Sequence, residues 1–410
     1  MCGFLVYATT GDNSKIKLRG PDCTNVVKLG GLTFVHNLLH VTGAFTPQPF
    51  VDGDVACVYN GQIYNHPYRQ TDGEVIIPLY RQHGVTFARH LDGEFAIALY
   101  DFKESIAVFA TDPFKTKPLF MNGVDCSSYR SGVGGHAAAP NEIVVTGLDG
   151  AVRAREPVLS WDLTQWKNQY DDWIIAFDDA VRKRARQNCF IGLSSGYDSG
   201  GIACALLNLG VDFKAYIYVG DENLDVLEQR RQLVPHEDFR PDFALLEWLR
   251  NNIDNEPYTI LCDGRLLDMR VLDDGAALGV ATFANLAKAE GRRVLLSGQG
   301  ADEVMSDYSP WPDQSELKGT YPEHLEELWR NFNYGCQESY LMKEEYAGGA
   351  FGVETRYPYL DRRVVQEFLW LSAAAKNRFY KAPLREYLLR HSFAFEEGIK
   401  RGFKIDLSRS

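Results

Sequence analysis

The sequence predicts a two-domain α/β protein, a layered sandwich of β-strands followed by a parallel sheet with helices on its faces. Three observations lead there. The 410 residues exceed what one ordinary hydrophobic core organises. Up to about Gly147, short apolar or alternating runs separated by Gly, Asp and Pro read as strands, with one helical pattern among them. After residue 170, helical and strand patterns alternate, which implies parallel strands whose carboxyl ends face ligands.

The first half offers strands at 3–7, 32–35, 55–59, 94–100, 107–110 and 143–145, and a helix over 74–82 with Val75, Ile76, Leu79 and Tyr80 at helical spacing. Strands, then a helix, then strands suggest layers. The pattern dissolves over 149–169, which reads as the linker between domains at 1–155 and 170–410. The second half offers a helix over 170–186, a strand over 189–193, a helix over 200–209, a strand over 213–219, a helix over 276–290 and a strand over 293–296. No internal repeat and no low-complexity segment interrupts this order.

Composition excludes several classes. Hydrophobic content of 45% and charged content of 24% are those of a soluble globular chain. A formal net charge of −12 argues against nucleic-acid binding, which needs clustered Lys and Arg. The eight cysteines show no CxxC pair. Cys57, Cys189, Cys204 and Cys262 sit in apolar runs and read as buried, reduced thiols of a cytoplasmic protein. No apolar stretch reaches the roughly 18 residues of a membrane span, and the start shows no basic, apolar leader.

The chain begins Met1-Cys2-Gly3-Phe4. Removal of Met1 makes Cys2 the N-terminus, with its own α-amine in reach of its thiol. That amine titrates near neutrality, at about pH 7.7–8.0, so it can take the thiol proton and return it to a leaving amine. The plainer alternative is a small residue opening an edge strand. A second candidate is Leu193-Ser194-Ser195-Gly196-Tyr197-Asp198-Ser199, after an apolar strand and at a helix start. Small residues there let N–H groups approach a phosphate, the helix start adds partial positive charge, and Asp198 suits a Mg²⁺ ligand. A serine-rich helix cap is the plainer alternative.

Three segments follow Cys2 in order: Arg19-Gly20-Pro21-Asp22, Asn60-Gly61-Gln62-Ile63-Tyr64-Asn65 and Thr71-Asp72-Gly73-Glu74. With them, residues 1–147 resemble the class II glutamine amidotransferase domain. The loop at 193–199, with Ser297-Gly298-Gln299-Gly300-Ala301-Asp302-Glu303, the segment from Gly352 to Asp361 and Lys400-Arg401-Gly402-Phe403, resembles the synthetase domain of the asparagine synthetase family over 170–403. The resemblance implies an αββα sandwich of the N-terminal-nucleophile hydrolase type, then a Rossmann-like ATP-pyrophosphatase domain. It implies Cys2 as nucleophile, Asn60 and Gly61 as oxyanion donors, and Gln62 and Asp72 beside a bound glutamine, with Asp72 on its α-ammonium. As alternatives, Asn60-Gly61 reads as a hairpin turn and Asp72 as a helix cap. Carried over by position, Leu193, Val219, Ser297 and Gly298 would contact ATP. Ser194, Ser195, Gly196 and Ser199 would hold pyrophosphate, Asp198 and Asp302 would bind Mg²⁺, and Lys400 would face the α-phosphate. Gln299, Asp302 and Arg356 would line the acceptor site. For Arg356 with Glu354, a structural ion pair and a catalytic one are both open, and for Lys400 a solvated surface lysine is the plain alternative.

Four positions depart from the family pattern. Leu38 stands where an Arg would hold the glutamine carboxylate, Gln62 replaces a Glu, Ser195 replaces a Gly of the loop, and Gln299 replaces the acceptor-site Glu. The reaction implied is glutamine hydrolysis at Cys2, with ammonia displacing AMP from an acyl-adenylate to form an amide, by default asparagine from aspartate. Amidation of another acid is the alternative, as is ring closure as in β-lactam-forming relatives, against which the retained Cys2 with Asn60-Gly61 speaks. A scaffold without catalysis is disfavoured by the joint presence of Cys2, Asp198, Asp302 and Lys400. The partners expected are small molecules (glutamine, a carboxylic acid, ATP), with neither nucleic acid nor membrane, and a homodimer is compatible with all of this.

Overall fold

The computed structural model describes residues 2–309 and 312–409; the expected loss of Met1 therefore lies outside the described residues. Contacts divide the chain into two compact units. The first runs to Ser160 and takes in Asn251–Asp254 and Gly349–Val353; the second holds the remainder.

The first unit contains twelve strands: β1 (Gly3–Tyr7), β2 (Cys23–Leu29), β3 (Leu32–Leu38), β4 (Phe50–Asp52), β5 (Val55–Ile63), β6 (Gly93–Asp101), β7 (Ile106–Thr111), β8 (Phe120–Asn122), β9 (Asp125–Ser127), β10 (His136–Ala137), β11 (Glu142–Gly147) and β12 (Val152–Pro157). They form two six-stranded sheets, ordered β10-β8-β9-β1-β3-β2 and β12-β11-β7-β6-β5-β4. Period-two alternation sorts the core. Ala56 and Val58 of β5, with Ala96, Ala98 and Tyr100 of β6, pack among Phe4, Val6 and Phe34 of the facing sheet. Val55, Cys57, Tyr59, Phe95, Ile97 and Leu99 turn the other way, onto Ile76, Ile77, Leu79 and Tyr80 of the helix Ile76–His83. The turn Ile16–Arg19 and the short helix Arg130–Val133 pack on the first sheet. β1 lies between β3 and β9, so Cys2 does not open an edge strand. Asn60 and Gly61, read as a turn, lie inside β5. The span read as linker contains β12, whose alternate side chains are solvent-facing, which is why its pattern looked loop-like.

The second unit is built on a parallel sheet of β13 (Cys189–Gly192), β14 (Phe213–Ile217), β15 (His236–Asp238), β18 (Val294–Leu296) and β19 (Glu354–Arg356), ordered β15-β14-β13-β18-β19; β16 (Pro257–Cys262) and β17 (Arg265–Arg270) form a separate hairpin. Strand order reverses at β13/β18, so the loops leaving these two strands flank the crevice where such sheets take ligands. Cys262 lies in the hairpin, half-buried rather than in a core; none of the eight cysteines forms a disulfide among the described residues. Among the described residues no helix is long and apolar enough to cross a membrane.

Asp361 anchors the helix Arg362–Trp370 by accepting from Arg363 N–H at 2.9 Å, and it also receives Lys183 and, at 2.6 Å, buried Arg184. Burial opposes its ionisation, but the two cations win and hold its carboxyl at about 2. A depressed folded pKa means this stabilisation is complete above the ordinary value of 3.8 and is lost as pH falls toward 2. Asp361→Asn is expected to cost about 3–5 kcal/mol by stranding Arg184, and to flatten the acid limb between pH 4 and 2, read by denaturant melts across pH.

Candidate active sites

Cys2 is half-buried at the start of β1, its thiol 4.0 Å from the Leu39 carbonyl. Gly3 follows because a Cβ there would lie 2.7 Å from the Ile16 carbonyl oxygen. Fully buried Arg19 donates from Nε to the Cys2 carbonyl at 3.3 Å, with its guanidinium 5.3 Å from the centre of the Tyr129 ring. Asn37 Nδ2 donates to the Gly3 carbonyl at 3.4 Å. His36 accepts at Nδ1 from Gln48 N–H at 3.2 Å, and burial drives its pKa down to about 3, so the imidazole stays neutral.

Alternation puts Asn60 on the Ala56–Val58 face of β5, turned to the sheet that carries β1. Its amide is fully buried, and neither its nitrogen nor its oxygen has a hydrogen-bond partner. A buried amide left unsatisfied costs roughly 1–3 kcal/mol, which a bound ligand or water would offset. Gly61 has φ +145°, and a Cβ would stand 1.9 Å from the Glu94 carbonyl oxygen, so no other residue fits. Buried Gln62 pairs in register with Glu94. Asp72 is buried and accepts from Ile63 N–H at 2.8 Å, tying the turn Asp72–Val75 to the end of β5, while Thr71 holds the N-cap position. Leu38 lies in β3 opposite Cys23, an apolar side chain buried in the sheet.

In the second unit a cavity of about 190 Å³ opens at the carboxyl ends of β13 and β18. Its lining combines apolar Phe239, Val280, Phe283 and Phe403 with polar Ser194, Asp198, Ser199, Gln299, Asp302 and Lys400. Leu193, Ser297 and Gly298 also face it. The loop is ordered by its serines: Ser194 N–H donates to Ser199 Oγ at 3.0 Å, and Gly196 N–H to Ser194 Oγ at 3.1 Å. Gly298 permits close passage, since a Cβ would sit 2.9 Å from that of Asp198.

Lys381, unremarked in the sequence, is buried between the two acids, 2.5 Å from Asp198 Oδ1 and 2.9 Å from Asp302 Oδ1. It precedes the helix Ala382–Arg390 in a left-handed conformation, φ +47°. Lys400 reaches Asp302 Oδ2 at 2.9 Å, and Tyr380 OH donates to Asp302 Oδ1 at 3.0 Å. Burial favours the neutral form of Asp302, yet the two ammonium groups outweigh it and hold its carboxyl well below the usual range. Burial raises Asp198 to about 6, with Lys381 opposing and Asp302 assisting. Lys400 is no surface lysine; its side chain is 5% exposed, with the ammonium 3.9 Å from the Tyr308 ring centre. Its segment is seated by small residues, for Cβ atoms at Gly275 and Gly279 would collide with the Ile405 carbonyl oxygen (2.0 Å) and the Phe403 ring (2.4 Å).

Four expected contacts are placed elsewhere. Val219 is 44% exposed and outside the cavity lining, because β14 ends at Ile217 and the chain turns outward. Arg356 is fully buried on Glu354 at 2.6 Å and donates to the Arg184 carbonyl at 2.8 Å, a structural pair off the lining. Ser195 and Gly196 do not line the cavity either; Glu222 stands on Ser195. Glu344, also missed, receives the Ser297 hydroxyl at 2.7 Å. Nothing local marks Lys381 or Glu344, whose partners lie far along the chain.

Residues 1–149 match the family model described as glutamine amidotransferase domain. Fold and first site thus define the class, an amidotransferase-type sandwich joined to a parallel-sheet domain. A putative asparagine synthetase [glutamine-hydrolyzing] 1 of Methanocaldococcus jannaschii is 26% identical over 386 residues, 82% of this chain and 69% of that protein. The asparagine synthetase [glutamine-hydrolyzing] of Asparagus officinalis is 25% identical, covering 97% of this chain and 74% of its own. Asparagine synthetase [glutamine-hydrolyzing] 2 of Arabidopsis thaliana is 24% identical, covering 97% and 76%. Over nearly its whole length the chain is thus similar to glutamine-hydrolysing asparagine synthetases.

Proposed function

We propose that the chain is an ATP-dependent amide ligase that draws ammonia from glutamine. The observation that carries this reading is the cavity at β13/β18, whose lining joins Ser194, Ser199, the Asp198–Asp302 pair and Lys400 with the aromatic rings of Phe239, Phe283 and Phe403. The aromatic rings suit a purine, and the polar groups suit a triphosphate and a carboxylate. In the first unit, Cys2 exposed as N-terminus would attack the glutamine carboxamide, its α-amine moving the proton. Asn60 and Gly61 would donate to the oxyanion, and Asp72 would take the α-ammonium. In the second, the acceptor carboxylate would attack the α-phosphorus, pyrophosphate would leave, and ammonia would displace AMP to give the amide.

Among the described residues no three ligating side chains converge as a metal cage. Asp198 and Asp302, close enough to share Lys381, fit a Mg²⁺ that takes its other ligands from phosphates and water. Such an ion would neutralise charge on the departing pyrophosphate. Lys400 would meet charge growing at the α-phosphate, and Lys381 would keep the acid pair in place.

A second reading is favoured by Gln299, which lines the cavity and cannot carry charge. It places another carboxylic acid ahead of aspartate as acceptor, and Leu38 gives weak glutamine binding, seen as a raised KM. The test is incubation with ATP, a panel of carboxylic acids, and either glutamine or ammonium. AMP and pyrophosphate are expected, with an amide identified by mass spectrometry. ADP as the main product would overturn the mechanism, and efficient asparagine formation from glutamine would overturn the second reading.

A further inference from the structure

The loop after β13 already holds an anion, and it belongs to the chain. Ser195 N–H donates to Glu222 Oε2 at 2.6 Å, the Ser195 hydroxyl donates to the same oxygen, and Asn223 N–H donates to Ser195 Oγ at 3.0 Å. Ser195 is buried beneath this carboxylate, and Glu222 lines the cavity. Behind the loop, fully buried Arg230 donates to the carbonyls of Ser194 and Gly196, the latter at 2.8 Å, and is itself anchored on the Ala394 carbonyl at 3.0 and 2.7 Å. The Ser194 carbonyl and the Ser195 N–H share one trans peptide plane and point in opposite directions. Arg230 on the first therefore turns the second toward Glu222. A carboxylate and a phosphoryl group ask for the same short N–H and O–H bonds.

We propose that Glu222 is an internal competitor for the phosphate-binding loop: nucleotide binds by displacing its carboxylate from Ser195, and that contact sets nucleotide affinity. The proposal rests on the reading of this loop as a phosphate site. Ser195 supplies two donors where a glycine would supply one, so the hydroxyl that crowds the loop also holds its occupant. Once displaced, Glu222 has a second cation at hand in Arg401, another residue of the cavity lining, which already bonds Asp221 at 3.2 Å and Glu396 at 2.7 Å. The opposing charge of Glu222 leaves with it, so entry of phosphate relieves repulsion as well as competition.

The experiment is calorimetric titration of the full chain with Mg²⁺ and a non-hydrolysable α,β-methylene ATP, and separately with pyrophosphate. It compares the parent, Glu222→Gln, Ser195→Gly and the double variant, with melting temperatures to establish that each is folded. Glu222→Gln should tighten both ligands by about five- to tenfold. Ser195→Gly should tighten them less, and only while Glu222 is present, because the two changes remove one shared contact. Unchanged or weaker binding in Glu222→Gln, or the same factor for Ser195→Gly in both backgrounds, would overturn the competitor while leaving the site. Absence of binding in all four proteins would overturn the phosphate-site reading and the competitor together.

Discussion

Cys2→Ala is expected to abolish glutamine-dependent amide synthesis, by more than about 10⁴-fold, while ammonium-dependent synthesis stays at the parent level. On the proposed reading the thiol would start the amide cleavage, and the core thiols of the sandwich are poor substitutes: Cys57 and Cys126 are fully buried, with burial pushing their thiols up, Cys126 to about 12. The buried Asn60 amide has no hydrogen-bond partner, and on the proposed reading its N–H would donate to the oxyanion formed when a carboxamide is attacked. An electrophilic glutamine analogue should label Cys2 in the parent and nothing in the variant. Parent-level glutamine use by Cys2→Ala would remove the nucleophile assignment.

Asp198→Asn and Lys400→Ala are each expected to cut synthesis by about 10²–10³-fold, equivalent to about 2.7–4 kcal/mol of lost transition-state stabilisation, with basal glutaminase retained. Lys400 is shielded from water and faces Asp302 over the Tyr308 ring, where a charge acts more strongly than in solvent. Asp302→Asn should be the less stable protein, because Asp302 also receives Lys381, Lys400 and Tyr380. Amide synthesis with ammonium, pyrophosphate exchange and glutaminase assays on one preparation separate these effects. Loss of glutaminase in step with synthesis would reduce both assignments to misfolding.

The readable parts of this molecule were those written locally. Cys2 announces itself by position, and the serine loop and Asp302 each follow an apolar strand within a few residues. The core strands β5 and β6 read as near-continuous apolar runs because both faces are buried against different layers. What stayed hidden depends on distant packing. Lys381 meets Asp198 across 183 residues, and its own surroundings, Tyr380 before and Ala382-Pro383 after, read only as a helix start. Glu222 lies on Ser195 across 27 residues, in a turn whose composition reads as solvated loop. Gly61 misled because Asn-Gly usually reverses a chain, whereas here β5 continues through it and the glycine clears Glu94. Arg356 misled in the opposite sense, since its motif is read equally well as chemistry or as an internal ion pair.

The seat that Gly275 and Gly279 provide for the segment carrying Lys400 and Phe403 bears on the order in which the molecule is made. Synthesis runs from Cys2 onward, and most of the first unit is complete by Ser160, so its sandwich can begin to fold while the ribosome is still translating the second half. The cavity at β13/β18 lacks Lys400 and Phe403 from its lining until residue 403 has emerged. A nascent chain stalled before that point would carry an amidotransferase sandwich with no working ligase behind it. Its loop after β13 would by then have both Glu222 and Arg230 available, the one to occupy the donors of Ser195 and the other to hold the carbonyls behind them. Self-occupation of the loop would thus shield its exposed donors from cellular anions during the interval before the final segment docks.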